Sequence, residues 1–294
     1  MRTPPPYATA GSLVPPPAIG PEPLIPRGAG GGAKWLIPYV TAGVTQNWTD
    51  YLVACADGGA DAIEVGLPFS DPMLDGVTVQ QASDRALARG TTVAGILSDL
   101  SEIKVDVPLI AFTYANLVMR PGPTVFCGRL AAAGIRGLIV PDLPVDEADA
   151  VAVAAEEAGV DLILLVAPVT PDDRLREIVR RTRGMVYAVS RMGTTGERET
   201  LAASAAQLAA RVKAVTDLPV VIGFGVTGPE QAAAAARAGD GVVVGSALMR
   251  RVLDGATPDD LRQEVAALRT AVDRSVLGDS ADRTAHPEIS GHRR

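Results

Sequence analysis

The middle of the chain repeats one unit, a short apolar run followed by turn residues and an alanine-rich amphipathic segment. The apolar runs are KWLIPYV (34–40), DAIEV (61–65), PLIAFT (108–113), GLIV (137–140), DLILLV (161–166), MVYAVS (185–190), PVVIG (219–223) and GVVVG (241–245). Continuous apolar strands joined by helices indicate a parallel sheet that is covered on its faces. Eight such units in succession predict a single-domain (β/α)8, or TIM, barrel of the α/β class.

An open, doubly wound sheet is the alternative that the same alternation allows. Such a sheet usually binds a dinucleotide through a GxGxxG turn after its first strand. Here that turn reads TAGVTQNW (41–48) and lacks the pattern. The sequence therefore favours the barrel.

Both ends of the chain differ in composition from the repeated part. Residues 1–33 are rich in proline and glycine, which disfavour a helix and leave little to bury, so we predict a disordered tail. Residues 273–294 are polar, and we predict a second flexible tail there. The barrel is predicted to occupy residues 34–272.

Charge and hydropathy limit the classes of partner. The 294 residues carry a net charge of −7, whereas nucleic-acid-binding domains usually show a basic stripe. No apolar run approaches the roughly 18 residues that span a bilayer, and no signal-peptide pattern is visible. We therefore expect no nucleic-acid partner, no membrane segment and a cytoplasmic location.

Cysteine and histidine usage limits the chemistry. Cys55 and Cys127 are the two cysteines, each in an apolar helical context that predicts a buried thiol. The two histidines, His286 and His292, both lie in the polar C-terminal stretch. A histidine base or a histidine-ligated metal in the barrel is not expected. Carboxylates, tyrosines, hydroxyls or backbone amides must then perform any catalysis.

An acid interrupts the second apolar run, in the stretch DAIEVGLPFSDPMLDG (61–76). Strand alternation places Ala62 and Glu64 on one face. If that face points into the barrel, burial raises the pKa of Glu64 and suits it to acid–base work near neutral pH. A salt bridge to a neighbouring strand is the alternative, and the loop with Asp71 and Asp75 is also compatible with an ordinary turn.

Glycine-rich stretches follow the last three predicted strands: SRMGTTGE (190–197), GFGVTGPE (223–230) and GSALMRRV (245–252). Glycine lets backbone N–H groups approach an anion closely, and a helix N-terminus favours negative charge. TIM barrels often bind phosphate with the loops after strands seven and eight. The pattern favours a phosphate-ester substrate, with plain tight turns as the alternative.

Taken together, these stretches resemble the α subunit of tryptophan synthase across residues 34–272. The matching pieces are IPYVTAG (37–43), EVGLPFSDPMLDG (64–76), TYANLV (113–118), VPDLP (140–144), YAVSRMGTTG (187–196), GFGV (223–226) and GSALM (245–249). The piece GxPFSDPxxDG is very specific to this family, whereas the glycine pieces are shared among phosphate-binding barrels.

The resemblance implies a lyase of tryptophan biosynthesis that cleaves indole-3-glycerol phosphate to indole and glyceraldehyde 3-phosphate, without its own cofactor or metal. Glu64 matches the family's acid–base glutamate, and Asp75 matches the aspartate that accepts the indole N–H. Tyr187 matches a tyrosine lining the substrate site. The remaining substrate- and phosphate-binding matches are Thr195, Gly196, Phe224, Gly225, Gly245 and Ser246.

The resemblance also implies a partner, the pyridoxal-phosphate-containing β subunit, in an α2β2 heterotetramer. Pro68, Asp71 and Asn116 match positions that face this partner. A stand-alone indole-3-glycerol phosphate lyase in a specialised pathway remains open, as does a non-catalytic paralogue that only activates a β subunit. The presence of Glu64 and Asp75 counts against the paralogue.

Three features depart from the family, one of them being Met192 and Thr194 in the loop after the sixth predicted strand. Its members usually begin with a helix that packs on the base of the barrel, but PEPLIPRGAGGGA (21–33) argues against a helix here. Leu74 and Val77 replace a small residue and a proline beside Asp75, which changes the shape expected for the pocket.

Overall fold

A computed structural model describes residues 24–25, 33–189, 198–223 and 225–283. Its parallel strands are β1 (Trp35–Thr41), β2 (Ile63–Gly66), β3 (Leu109–Phe112), β4 (Ile135–Ile139), β5 (Asp161–Ile163 with Leu165–Val166), β6 (Val186–Val189), β7 (Val220–Gly223) and β8 (Gly241–Val244). Each predicted apolar run therefore contains or overlaps one strand.

The sheet closes on itself through the fifth strand. Its first half pairs with β4 and its second half pairs with β6, and Leu164 separates the two halves. At the opposite side β1 lies between β2 and β8. The predicted (β/α)8 barrel is confirmed, with a break at Leu164 that the sequence did not indicate.

Helices cover the outside of the barrel. They are α1 (Trp48–Asp57), α2 (Val77–Ala88), α3 (Val93–Glu102), α4 (Ala115–Met119), α5 (Pro123–Ala132), α6 (Asp149–Glu157), α7 (Asp172–Arg181), α8 (Arg198–Lys213), α9 (Pro229–Ala238), α10 (Ser246–Leu253) and α11 (Pro258–Arg283), with a 3-10 turn at Val145–Glu147. Cys55 and Cys127 are buried free thiols, as predicted. Among the helices of the described ranges, none is long and apolar enough to cross a bilayer.

The C-terminal boundary lies later than predicted. Helix α11 runs to Arg283, so the expected end of the domain at residue 272 falls inside it. Ser275 is buried, and its hydroxyl donates to the Val272 carbonyl oxygen at 2.6 Å. The first part of the predicted 273–294 tail is therefore helical and packed.

The N-terminal end of the barrel interior is filled by Leu24 and Ile25. Their side chains are 3% and 2% exposed and belong to the apolar cluster inside the strands. Leu24 lies against Gly184, just before β6. The prediction that residues 1–33 have little to bury is wrong for these two residues, because the open base of the barrel presents an apolar surface that needs covering.

We expect Leu24→Ala and Ile25→Ala each to lower the free energy of unfolding by about 2–4 kcal/mol, since each leaves a cavity in a packed apolar interior. Urea denaturation measures this change. Val153→Ala, at a position 56% exposed, is the matched control and should change stability by less than about 0.5 kcal/mol. If all three variants behave alike, the segment does not anchor to the barrel.

Candidate active site

A cavity of about 390 Å³ opens at the carboxyl ends of the strands. Six of the residues predicted from the sequence line it: Glu64, Asp75, Tyr187, Gly225, Gly245 and Ser246. The fold brings them together because all parallel strands end at the same rim, where TIM-barrel sites are built. Thr195, Gly196 and Phe224 lie outside the described residues.

Glu64 points into the barrel from β2. Its neighbour on the same face, Ala62, belongs to the interior cluster, which confirms the inward-facing alternation. The side chain is 1% exposed, and Oε1 has no hydrogen-bond partner among the described residues. Burial, with a smaller contribution from the charge of Asp75, raises the pKa of Glu64 to about 8. Glu64 is therefore neutral at pH 7 and can donate a proton.

Asp75 lies in the loop between β2 and α2, which is fixed by hydrogen bonds of its own. The backbone N–H of Asp75 donates to the Pro72 carbonyl at 3.0 Å, and Gln80 Nε2 donates to the Asp75 carbonyl at 2.9 Å. Burial raises the pKa of Asp75 to about 6, and the nearby Tyr114 hydroxyl opposes that rise. At neutral pH Asp75 is thus ionised while Glu64 is not, so their environments divide the two acids into different roles.

Tyr114 is a site residue that the sequence reasoning missed. Its hydroxyl accepts a hydrogen bond from the backbone N–H of Leu74 at 3.2 Å, and it lies close enough to the Asp75 carboxyl group to lower the pKa of that group. Its ring stacks on Phe69, with centroids 5.1 Å apart. The signal available in the sequence was its place two residues after β3, at the rim where the site forms.

Tyr187 forms one wall of the cavity and depends on a glycine. A methyl group at Gly223 would lie 2.2 Å from Tyr187 Cε1, so a side chain there would displace the ring. Tyr187 is 8% exposed, and burial followed by the charge of Glu64 raises its pKa well above the usual range. The phenol therefore remains protonated and can serve as a donor.

The other end of the cavity offers backbone amides in place of charged side chains. Gly245 precedes α10, whose first N–H groups, beginning with Ser246, have no partner within the helix. Gly225 follows β7 on the same rim. No lysine or arginine is among the described residues that line the cavity. The arrangement suits a phosphate that is bound by amides and a helix dipole.

The three residues predicted to face a partner differ in exposure. Asp71 and Asn116 are exposed, on the β2 loop and on α4. Ser70 Oγ donates to the Asp71 carboxylate at 2.6 Å. Pro68 is buried within the chain, and its contact with a partner stays a prediction.

No cluster of three or more histidine, cysteine, aspartate or glutamate side chains that could hold a metal ion occurs within the described ranges. The acids of the cavity are Glu64 and Asp75. We therefore identify no candidate metal site in the part of the chain that the structure describes.

Comparisons with known proteins show the family of the chain. The family model "Tryptophan synthase alpha chain" matches residues 30–277. The tryptophan synthase alpha chain of Gloeobacter violaceus is 46% identical over 232 residues, which cover 77% of this chain and 84% of that protein. A tryptophan synthase structure from Mycobacterium tuberculosis superposes with a TM-score of 0.76 at 40% identity, covering 82% of this chain and 93% of that one. A tryptophan synthase complex from Pyrococcus furiosus gives a TM-score of 0.72 at 36% identity, covering 80% and 97%. The chain therefore belongs to the tryptophan synthase alpha chain family.

Proposed function

We propose that Glu64 and Asp75 carry out the reaction of this family in the cavity described above. As a tryptophan synthase alpha chain, the protein is a lyase of tryptophan biosynthesis that cleaves indole-3-glycerol phosphate to indole and glyceraldehyde 3-phosphate. The assignment rests on the carboxyl group of Glu64, which is buried and has no hydrogen-bond partner for Oε1 among the described residues, and which lines the same cavity as Asp75, a carboxyl group of lower pKa.

Glu64 acts as both acid and base. The bond between indole C3 and the glycerol chain breaks only after C3 is protonated, because the ring must first give up its aromaticity. Neutral Glu64 donates that proton and becomes a carboxylate, which then accepts the proton of the hydroxyl on the adjacent chain carbon. The bonding electron pair returns to the ring, the carbonyl of glyceraldehyde 3-phosphate forms, and Glu64 is again protonated.

Asp75 stabilises the charge that this sequence creates. Protonation at C3 places positive charge on the indole nitrogen, and an ionised carboxylate that accepts the N–H bond lowers the energy of that state. Asp75 is ionised above a pH of about 6, so it can act while Glu64 still holds its proton. Tyr187 and Phe112 provide aromatic walls for the ring.

Substrate recognition is assigned to the opposite end of the cavity. Amide groups at Gly225, Gly245 and Ser246 bind the phosphate, with Gly196 and Phe224 as further residues of this site. Thr195 contacts Asp75 when its loop closes, as the family resemblance implies. We assign no cofactor or metal to this chain, and pyridoxal phosphate belongs to the partner.

The test is to incubate the purified protein with indole-3-glycerol phosphate and to measure both products. Indole and glyceraldehyde 3-phosphate should appear in equal amounts, without added cofactor. If neither product forms, with or without a β subunit, the chain is not a lyase, and a paralogue that only activates its partner becomes the better assignment.

The proposed partner is a tryptophan synthase β subunit in an α2β2 assembly. Two features support a docking surface at the rim. Asp71 and Asn116 are exposed there, and so are the apolar side chains of Met73 and Val77, 80% and 67% exposed. Apolar groups with this much exposure beside a catalytic loop are typical of interaction sites. A partner bound here would contact the loop that carries Asp75 and help to close it over the substrate.

Asp71→Ala should leave unassisted cleavage nearly unchanged and should raise the β-subunit concentration needed for half-maximal activation about tenfold or more, because a charged interface contact is lost. The measurement is indole formation during titration with β subunit. Glu157→Ala, at an exposed position at the end of α6, is the control and should titrate like the unmodified protein.

Two outcomes of that titration would change the proposal. A protein that is fast alone and does not respond to β subunit is a stand-alone lyase. A loss of unassisted cleavage in Asp71→Ala would place Asp71 in the catalytic set.

A further inference from the structure

Tyr39 extends from one end of the cavity to the other. It lies on β1, between β8 and β2, and is 6% exposed while lining the cavity. At its backbone end, a methyl group at Gly245 would lie 3.4 Å from Tyr39 Cβ. At its hydroxyl end, a methyl group at Gly66 would lie 1.9 Å from the phenol oxygen. The ring therefore runs from the proposed phosphate site to the end of the strand that carries Glu64.

The hydroxyl of Tyr39 has hydrogen-bonding capacity left over. Within the described residues its recorded bond is a long one, in which Thr41 Oγ1 donates to it at 3.4 Å. Among the described residues, none accepts a hydrogen bond from the Tyr39 hydroxyl. Burial, and then the charge of Asp75, raises the pKa of Tyr39 above its usual range, so the phenol retains its proton.

Packing alone does not explain the hydroxyl. The ring makes an edge-to-face contact with Phe112, with centroids 6.0 Å apart, and a phenylalanine would make the same contact. The phenol oxygen instead occupies space that any side chain at Gly66 would fill. The hydroxyl therefore fits next to β2, the strand that carries Glu64, because Gly66 has no side chain.

We propose that Tyr39 is a substrate-positioning residue whose hydroxyl donates a hydrogen bond to a hydroxyl of the substrate's phosphorylated carbon chain. This inference rests on the proposed function. A phosphate held at Gly245 and Ser246 and a reacting carbon at Glu64 require the carbon chain between them to pass over Tyr39. The bond holds that chain so that its reacting carbon faces Glu64, which is the kind of orientation that accelerates an enclosed reaction.

The test compares two ligands with Tyr39→Phe. The first is indole-3-glycerol phosphate, and the second is 3-(indol-3-yl)propyl phosphate, which has the same ring and phosphate but no chain hydroxyl. We expect kcat/KM for the glycerol phosphate to fall about 3- to 10-fold, the scale of one hydrogen bond. The inhibition constant of the propyl phosphate should stay within about twofold of its original value, because that ligand has no hydroxyl to accept the bond.

Tyr51→Phe is the matched control. Its hydroxyl donates to the Ala256 carbonyl at 2.8 Å, away from the cavity, so this variant should change stability and neither ligand constant. If Tyr39→Phe weakens kcat/KM for the glycerol phosphate and binding of the propyl phosphate equally, Tyr39 acts through packing. If it changes neither constant, the hydroxyl has no role. Both results overturn the proposal. If the unmodified protein does not cleave the glycerol phosphate at all, the proposed function fails and this inference fails with it.

Discussion

Glu64→Gln should lower kcat for indole release by about two to four powers of ten, the range expected for loss of a positioned acid–base group. Glutamine has nearly the same shape as glutamic acid, so the fold and the binding of the phosphate ester should persist. What it lacks is a proton that it can give to indole C3 and recover from the chain hydroxyl. The measurement is indole formation at saturating substrate, with binding of 3-(indol-3-yl)propyl phosphate as the check on the pocket.

The same variant should be more stable than the unmodified protein, and the difference should grow with pH. In the unfolded chain Glu64 loses its proton near its usual pKa of 4.5, whereas in the fold it keeps the proton up to about 8. Between these two values the unfolded state is favoured progressively as pH rises, because it binds fewer protons than the folded state. Glutamine does not ionise, so Glu64→Gln should show a larger gain in melting temperature at pH 8 than at pH 5.

Glu157→Gln, the same substitution at an exposed site, is the control for both measurements and should alter neither. Indole release within a few-fold of normal in Glu64→Gln would remove Glu64 from the acid–base role. If the gain in melting temperature of Glu64→Gln is no larger at pH 8 than at pH 5, burial does not hold the carboxyl group of Glu64 neutral.

Asp75→Asn should lower kcat about a hundredfold or more, as expected when one preorganised electrostatic contact to the transition state is lost. The amide oxygen can still accept the indole N–H, but it carries no charge to stabilise the protonated ring. The unmodified enzyme should also lose activity as pH falls through about 6, where Asp75 takes up a proton. This fall in activity at low pH, the acidic limb of the pH–activity profile, should be absent from the residual activity of Asp75→Asn.

Asp71→Asn is the natural comparison, since Asp71 lies in the same loop but is exposed. It should leave unassisted turnover and the acidic limb unchanged. If the two variants lose activity equally, the loop acts as a whole and Asp75 has no separate electrostatic role. If Asp75→Asn retains the acidic limb, another group is responsible for it.

The sequence predicted the barrel and the inward position of Glu64 because both depend on local patterns. Apolar runs separated by helices specify parallel strands, and alternation along β2 places Ala62 and Glu64 on one face. The gathering of Asp75, Gly225 and Gly245 at one rim then follows from the topology alone.

Sequence patterns did not predict contacts between residues that are far apart in the chain. Leu24 and Ile25 lie in a segment whose composition indicates disorder, yet both side chains are buried in the interior of the barrel. The bond between the Leu74 N–H and the Tyr114 hydroxyl depends on how the loops after β2 and β3 approach each other. The burial of Pro68 depends in the same way on neighbouring loops.

Burial keeps Glu64 protonated at neutral pH in the proposed mechanism, and titration of that one carboxyl group tests this protonation state. Carbon-13 NMR of protein labelled at the glutamate carboxyl carbons follows each group with pH, and the signal missing from Glu64→Gln identifies Glu64. The expected midpoint of the Glu64 titration is about 8. A midpoint near the usual value of 4.5 would contradict it, because Glu64 would then be ionised at neutral pH and unable to protonate indole C3.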